Sequence, residues 1–126
     1  GTAGKAYAFD NGAYVEVPYA AALRPTSFTL TAWIKPHVAS NGNYIYSINR
    51  WNGYKFQLQG SNLPFLTINN DNGIHDQDDG GAAVQLDKWS QVVVSYTNGA
   101  MKFYINGVMV KNANVTGTPV TLTSPP

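Results

Sequence analysis

Apolar and polar positions alternate along three short runs between Trp89 and Val110. The Asn-Gly pairs at 98–99 and 106–107 separate these runs, and Asn-Gly between alternating hydrophobic residues is the strongest short-range signal for a β-hairpin. The stretch therefore predicts a three-stranded antiparallel meander. Strand side chains alternate with a period of two, so one face is apolar and needs a second layer to pack on. The apolar positions are Val92, Val94, Tyr96, Met101, Phe103 and Ile105.

The rest of the chain reads as further short strands between turn signals, and no long stretch has the spacing of an amphipathic helix. The clearest strand spans Ser27–Pro36, with Phe28, Leu30 and Ile34 in one phase and Trp33 in the other. One helical turn is predicted at Tyr19–Leu23. The remaining predicted strands are Ala6–Phe9, Ala13–Pro18, Asn43–Asn49, Tyr54–Gln59, Pro64–Asn69 and Val120–Thr123.

Composition narrows the class of protein. The chain has 126 residues, enough for one domain, and charged residues make up 12% with a formal net charge of +1. Its basic residues are scattered singly, which argues against a nucleic-acid partner. No apolar run reaches the length of a membrane span, and no signal peptide is recognisable at the start. Cysteine is absent, which excludes disulfides and cysteine metal sites.

Several segments together carry a resemblance to a known family. They are Phe9-Asp10, Tyr14–Pro18, Leu23–Pro36, Lys88–Tyr96 and Phe103–Val108. The chain resembles the laminin-G-like members of the concanavalin A-like lectin/glucanase superfamily. The resemblance implies an all-β jelly-roll sandwich of two antiparallel sheets. It also implies a carbohydrate-binding or adhesion module of a secreted or cell-surface protein. Because members of this fold bind glycans, mediate adhesion or hydrolyse polysaccharides, the fold by itself does not choose among these functions.

The resemblance also indicates missing strands. Family members usually have a strand-forming segment before the stretch that corresponds to Gly4–Asp10, and they close with two strands ending in an Ile-Asp-Asp-Val-Arg-like sequence. Neither is found in this sequence. We therefore expect residues 1–126 to be a single excised or incomplete module, completed by a partner chain or a second copy. The alternative function is a structural interaction domain of this kind that binds no sugar.

Catalysis is not expected. Glycoside hydrolysis generally takes two carboxylates, and Glu16 is the single glutamate, without a carboxylate two or four positions away. The two histidines lie in predicted loops, with no nucleophile recognisable by spacing. The sequence therefore predicts a non-catalytic module.

A sugar site is predicted around Trp51. This tryptophan lies in a turn, where a large ring has little reason to be unless something covers it, and aromatic rings stack on pyranose faces. The predicted carbohydrate-binding residues are Arg50, Trp51, Asn52, Tyr54 and His75. The alternative is that Trp51 folds back as a lid over the sandwich. Trp33 and Trp89, by contrast, are expected to be packing residues.

Polar residues on the predicted strand Tyr54–Gln59 leave a second question open. Lys55, Gln57 and Gln59 share the face opposite Tyr54. If this strand lines the concave sheet, these groups face a glycan, and otherwise they face water.

The longest polar stretch, Asn70–Gly81, holds four of the seven acidic residues and predicts a surface loop. Asp76, Asp78 and Asp79 are a candidate calcium site because Ca²⁺ takes several oxygen ligands. Their spacing fails the EF-hand pattern, and the alternative is a solvated turn. By resemblance, Asp10 is a second candidate ligand.

Overall fold

The computed structural model describes residues 2–39, 42–48, 53–69, 75–97 and 99–114. The described part holds one 3-10 helical turn at Ala21–Leu23, which confirms the predicted turn, and no helix long and apolar enough to cross a membrane. The remaining elements are strands: β1 (Phe28–Ile34), β2 (Asn43–Ile48), β3 (Tyr54–Gln59), β4 (Leu63–Asn69), β5 (His75–Asp79), β6 (Ser90–Thr97), β7 (Ala100–Ile105) and β8 (Val108–Asn114).

The strands form two antiparallel sheets. Sheet A has the order β1-β6-β7-β8 and sheet B the order β2-β3-β4-β5. All neighbouring strands pair antiparallel. The predicted architecture of two antiparallel sheets is therefore confirmed, and the predicted meander is the run β6-β7-β8 of sheet A.

The turn between β7 and β8 shows why the Asn-Gly signal predicts this meander. Asn106 and Gly107 have φ angles of 51° and 80°, both in the left-handed region that a two-residue hairpin turn requires. The Asn106 N–H donates to the Gln91 carbonyl oxygen at 2.9 Å, and the Gln91 N–H donates to Asn106 Oδ1 at 2.9 Å. These two bonds fix the turn to the start of β6.

The core lies between the two sheets and contains the predicted apolar positions of β6 and β7. Stacked aromatic rings join the sheets, because the Phe28 ring of sheet A lies 4.6 Å from that of Tyr54 in sheet B and 5.8 Å from that of Tyr96. The buried apolar residues are Ile48, Tyr54, Phe56, Leu58, Leu66, Ile68, Val84, Val92, Val94, Tyr96, Met101 and Phe103.

An irregularity in β2 decides which of its tyrosines face the core. Tyr44 pairs with Gln57 and Tyr46 pairs with Phe56, so the register shifts at the residue between them. Without this bulge both tyrosines would lie on the same face. With it, Tyr46 packs against the core and Tyr44 lies on the opposite face of sheet B.

The prediction of strands at Ala6–Phe9 and Ala13–Pro18 is wrong. Residues 2–20, which we call the N-terminal arm, contain no strand. A turn does form between the two predicted strands, through a 3.0 Å hydrogen bond from the Ala13 N–H to the Asp10 carbonyl oxygen. The apolar side chains of the arm are exposed, Tyr7 at 84% and Val17 at 64%. Alternation gives a segment strand propensity, but a strand also needs a neighbour, and no described strand pairs with the arm.

The prediction of one continuous loop over Asn70–Gly81 is also wrong, because residues 75–79 form the edge strand β5. The backbone of β5 pairs with β4. Charged residues are common on edge strands because they discourage pairing with other chains, so a polar composition does not exclude an edge strand. The predicted strand Val120–Thr123 lies outside the described residues.

Candidate functional site

The central strand β3 is buried on both faces. Tyr54, Phe56 and Leu58 point to the core, as their phase predicts. Lys55 and Gln57 point away from the core, yet they are buried as well. A strand in the middle of a sheet with polar residues buried on its outer side is unusual, because polar groups normally remain in water unless they are paired.

The neighbouring strand β4 extends this polar area. Thr67 lies opposite Lys55, and Phe65 lies opposite Gln57. Thr67 is 1% exposed and Gln57 is 3% exposed. We call the outer side of sheet B its polar face, defined by Tyr44, Lys55, Gln57, Gln59, Phe65 and Thr67.

Two buried oxygen atoms on the polar face have no hydrogen-bond partner in the described part of the chain. These atoms are Gln57 Oε1 and Thr67 Oγ1. The other end of the Gln57 amide is engaged, because Nε2 donates to Gln59 Oε1 at 2.6 Å. An acceptor buried without a partner costs about 1 to 3 kcal/mol. Such a cost is commonly found where a ligand or a bound water supplies the missing donor.

An aromatic ring borders these oxygen atoms. Tyr44 lies directly opposite Gln57 on β2 and is 45% exposed. The Lys55 ammonium lies 5.5 Å from the centre of the Tyr44 ring, within cation–π distance. The polar face thus combines hydrogen-bond acceptors, a cation and a partly exposed aromatic ring.

The predicted sugar residues fall in different places. Arg50, Trp51 and Asn52 lie outside the described residues. His75 begins β5 and pairs with Asn69. Tyr54, which was predicted as a surface contact, lies in the core.

The Tyr54 ring is stacked between those of Phe28 and Tyr46, and its hydroxyl donates to the Leu23 carbonyl. Burial raises the pKa of the Tyr54 phenol, with a further contribution from a hydrogen bond to Tyr46. The ring therefore anchors β3 from the core side, opposite the polar face.

The three candidate calcium ligands all lie on β5. Asp76 and Asp78 pair with Ile68 and Leu66, whereas Asp79 pairs with Phe65. Asp79 Oδ1 accepts the Gly81 N–H at 2.8 Å and lies 3.6 Å from the ammonium of Lys111.

No group of three potential metal ligands lies together among the described residues. Asp10, the other candidate, lies in the exposed N-terminal arm. The calcium site remains a prediction.

The sandwich matches a family model. A laminin-G model described as the concanavalin A-like lectin/glucanases superfamily matches residues 9–126. The chain belongs to this superfamily. A search of curated proteins finds no match to the chain. Membership supports a lectin-like or adhesion-type module in general, and laminin-G-like domains of the superfamily are generally non-catalytic.

Sequence analysis missed three residues of the polar face of this superfamily member, Tyr44, Phe65 and Thr67. Phe65 has the same phase as Thr67 in its strand. Thr67 is recognisable in retrospect, because Pro64–Asn69 was predicted as a strand and Thr67 alternates with Leu66 and Ile68. Tyr44 was not recognisable, because only the bulge in β2 brings it to this face. A strict period of two would place Tyr44 on the core face with Tyr46.

The expectation that Trp33 and Trp89 are packing residues is wrong. They are 62% and 52% exposed, respectively. Trp33 alternates with the core residues of β1, and this phase turns its ring outward. Trp89 precedes β6, where the chain is not yet part of the sheet.

Proposed function

We propose that this protein is a non-catalytic carbohydrate-binding module and that the polar face of sheet B holds the glycan. The supporting observation is a pair of buried acceptors that have no partner among the residues the structure describes, Gln57 Oε1 and Thr67 Oγ1. Sugar hydroxyls are donors as well as acceptors, so a hydroxyl that reaches either atom supplies the missing hydrogen bond.

The surrounding residues suit the rest of a sugar ring. The exposed part of the Tyr44 ring offers a surface for the apolar face of a pyranose, and the Lys55 ammonium carries donors for ring or hydroxyl oxygens. Gln57 and Thr67 are nearly covered, so a glycan reaches them when side chains at the rim of the face turn aside. Tyr44, half exposed on an edge strand, is the residue we expect to turn.

The proposal includes the residues that join β2 to β3 in the sequence. Arg50, Trp51 and Asn52 provide a second ring and further donors for a glycan of several units. We further propose that the module works outside the cell. If Asp76, Asp78 and Asp79 bind calcium, glycan affinity should fall in EDTA and return with added Ca²⁺.

The test is a glycan array followed by calorimetry on the best ligand. We expect Gln57→Leu and Thr67→Val each to weaken binding about tenfold, since one lost hydrogen bond to a buried group is worth about 1 to 1.5 kcal/mol. Thr31→Val, on the exposed outer side of sheet A, is the matched control and should leave affinity unchanged. Unchanged affinity in both sheet B variants would remove the polar face from the site.

Two further assays separate the parts of the proposal. Trp51→Ala tests the β2–β3 connection, and binding that survives this substitution removes Trp51 from the site. Incubation with a soluble β-glucan should release no reducing ends, and release would show a hydrolase.

A second candidate function is a structural interaction domain completed by another chain. It is supported by the exposed apolar side chains of the N-terminal arm, Tyr7, Phe9, Tyr14, Val15 and Val17. In addition, β1 and β2 each end a sheet, and no described strand covers their outer edges. A free edge and an unpaired segment of strand-forming sequence are the two halves of a strand-exchange contact.

Sedimentation and small-angle scattering over a range of concentrations test this candidate. Strand exchange between copies predicts a dimer or larger species that Val15→Lys and Val17→Lys convert to a monomer. A compact, strictly monomeric species at all concentrations would contradict exchange between copies. An array without any bound glycan, together with self-association, would favour this function over sugar binding.

A further inference from the structure

A cleft lies beside the edge strand β8 of sheet A. It is formed by the segment that leads into β6 and by the turn between β7 and β8, and its volume is about 300 Å³. This is the lower end of the size range of small-molecule sites, about 300 to 1,000 Å³. The residues that matter here are Gln85, Lys88, Trp89, Ile105, Asn106 and Val110.

The apolar part of the cleft is a tryptophan ring with aliphatic support. Trp89 is 52% exposed, so much of its indole is open to solvent. Ile105 and Val110 are half-buried beside it. A flat ring of this kind at a cleft wall matches the apolar face of a pyranose, and its exposure is otherwise unfavourable.

The polar part of the cleft is partly fixed in advance. Asn106 is held by two hydrogen bonds with Gln91, through its backbone N–H and through Oδ1. Its Oδ1 is therefore engaged, which orients the Nδ2 donors of the same amide. The exposed amide of Gln85 adds another donor and acceptor.

The cleft carries a positive charge. Lys88 is the single ionisable side chain among its described lining residues. The carboxylate of the preceding residue, Asp87, is engaged elsewhere, because its Oδ1 lies 2.7 Å from His37 Nδ1. A ligand with a carboxylate therefore gains an attraction here that a neutral ligand does not.

We propose that this cleft binds one acidic pyranose unit, a hexuronate, with the sugar ring on Trp89, the carboxylate near Lys88 and hydroxyls on Gln85 and Asn106. The cleft shares no residue with the polar face of sheet B. The inference therefore stands independently of the proposed function.

The test is an NMR titration of the ¹⁵N-labelled protein with glucuronate and, separately, with methyl glucoside. We expect glucuronate to shift the Trp89 indole N–H and the Asn106 side-chain amide. Its affinity should be about two- to fivefold higher than that of methyl glucoside, because an ion pair with an exposed lysine is worth about 1 kcal/mol or less. Lys88→Gln should lower the glucuronate affinity to that of the neutral sugar, and Gln85→Ala should weaken both ligands. Trp33→Ala, which removes an exposed tryptophan elsewhere, is the control and should change neither affinity.

Several results would overturn the proposal. These are the absence of shifts at Trp89 with glucuronate, equal affinity for the two sugars, an unchanged glucuronate affinity in Lys88→Gln, or shifts centred on the Trp33 indole. Trp89→Ala should abolish binding of both ligands. If Trp89→Ala does not fold, Lys88→Gln and Gln85→Ala test whether the cleft binds the sugars. Their spectra must match the wild type outside the cleft. Loss of binding in Thr67→Val with retention in Lys88→Gln would assign the acidic sugar to the polar face.

Discussion

The two sheets of the sandwich differ in how deeply the residues on their outer sides are buried. On sheet A the outer residues of the edge strand β1, namely Thr29, Thr31 and Trp33, are exposed. The outer residues of its inner strand β6 are half-buried up to Ser95. On sheet B the outer residues Gln57 and Thr67 are as well buried as the core. Both sheets supply buried apolar side chains to the core, so the contrast between them lies on the outer side. This difference in burial indicates that the outer side of sheet A is a solvent-exposed surface with a structural role. The outer side of sheet B buries polar groups, as a binding surface does.

The largest expected effect tests whether the two sheets contribute alike to the core. Phe56 of sheet B and Phe103 of sheet A are both fully buried. We expect Phe56→Ala and Phe103→Ala each to lower the free energy of unfolding by about 3 to 5 kcal/mol. Urea denaturation measures both. If one variant loses less than half as much as the other, the sheets do not share the core equally.

A matched pair of threonines tests the outer sides directly. Thr67→Asp places a carboxylate in a buried position and should cost about 3 kcal/mol, because a charge without a partner is expensive to bury. Thr31→Asp places the same group on the exposed side of β1 and should cost about 1 kcal/mol or less, chiefly from β propensity. Similar losses for the two variants in urea denaturation would remove the contrast between the sheets.

Alkaline pH tests the burial of Tyr54, which holds β3 from the core side. Its phenol stays neutral in the folded protein well above pH 10, whereas in the unfolded chain it ionises at its usual pKa of about 10. The unfolded state therefore binds fewer protons above pH 10, and stability falls as pH rises by about 1.4 kcal/mol per pH unit from this group.

Urea denaturation at pH 9, 10 and 11 should show this fall in the wild type and a shallower fall in Tyr54→Phe. The other tyrosines are present in both proteins, so their effects cancel in the difference. Parallel profiles would show that Tyr54 reaches solvent in the folded protein.

The smallest expected effect concerns the buried hydroxyl oxygen of Thr67. Thr67→Val removes a buried hydroxyl without a described partner and keeps its shape, so it should be neutral or stabilising by up to about 1 kcal/mol. Thr31→Val is the control at an exposed position. A loss above about 2 kcal/mol in Thr67→Val would mean that the hydroxyl is paired in the folded protein. Stability that is retained while glycan binding is lost would give Thr67 a functional rather than structural role.

Much of the fold was predictable because it is encoded locally. The Asn-Gly turns and the period of two located β1 to β4 and the meander β6-β7-β8, and the phase of each run gave the face that Phe28, Val94 and Phe103 bury. Part of the polar face was predictable in the same way, since Lys55 and Gln57 alternate with core residues. The burial of that face was not predictable, because burial depends on the neighbouring strands and not on the residue's own segment.

The wrong predictions also arise because strand pairing depends on residues outside the segment itself. The N-terminal arm has the alternation of a strand, yet it remains exposed because pairing needs an available edge in the right place. Residues 75–79 look like a loop, yet β4 offers them such an edge. The bulge that turns Tyr44 outward depends on how β2 matches β3, which no pattern within β2 reveals.

The amino-acid sequence alone therefore determined which segments can be strands, which side of each is apolar, and the superfamily to which the chain belongs. The tertiary structure decided which segments find partners, which polar groups are buried on sheet B, and that Trp89 opens onto a cleft. The reason is physical: strand propensity and side-chain phase are properties of a few consecutive residues. Pairing, burial and clefts depend on residues far apart in the chain that only the fold brings together.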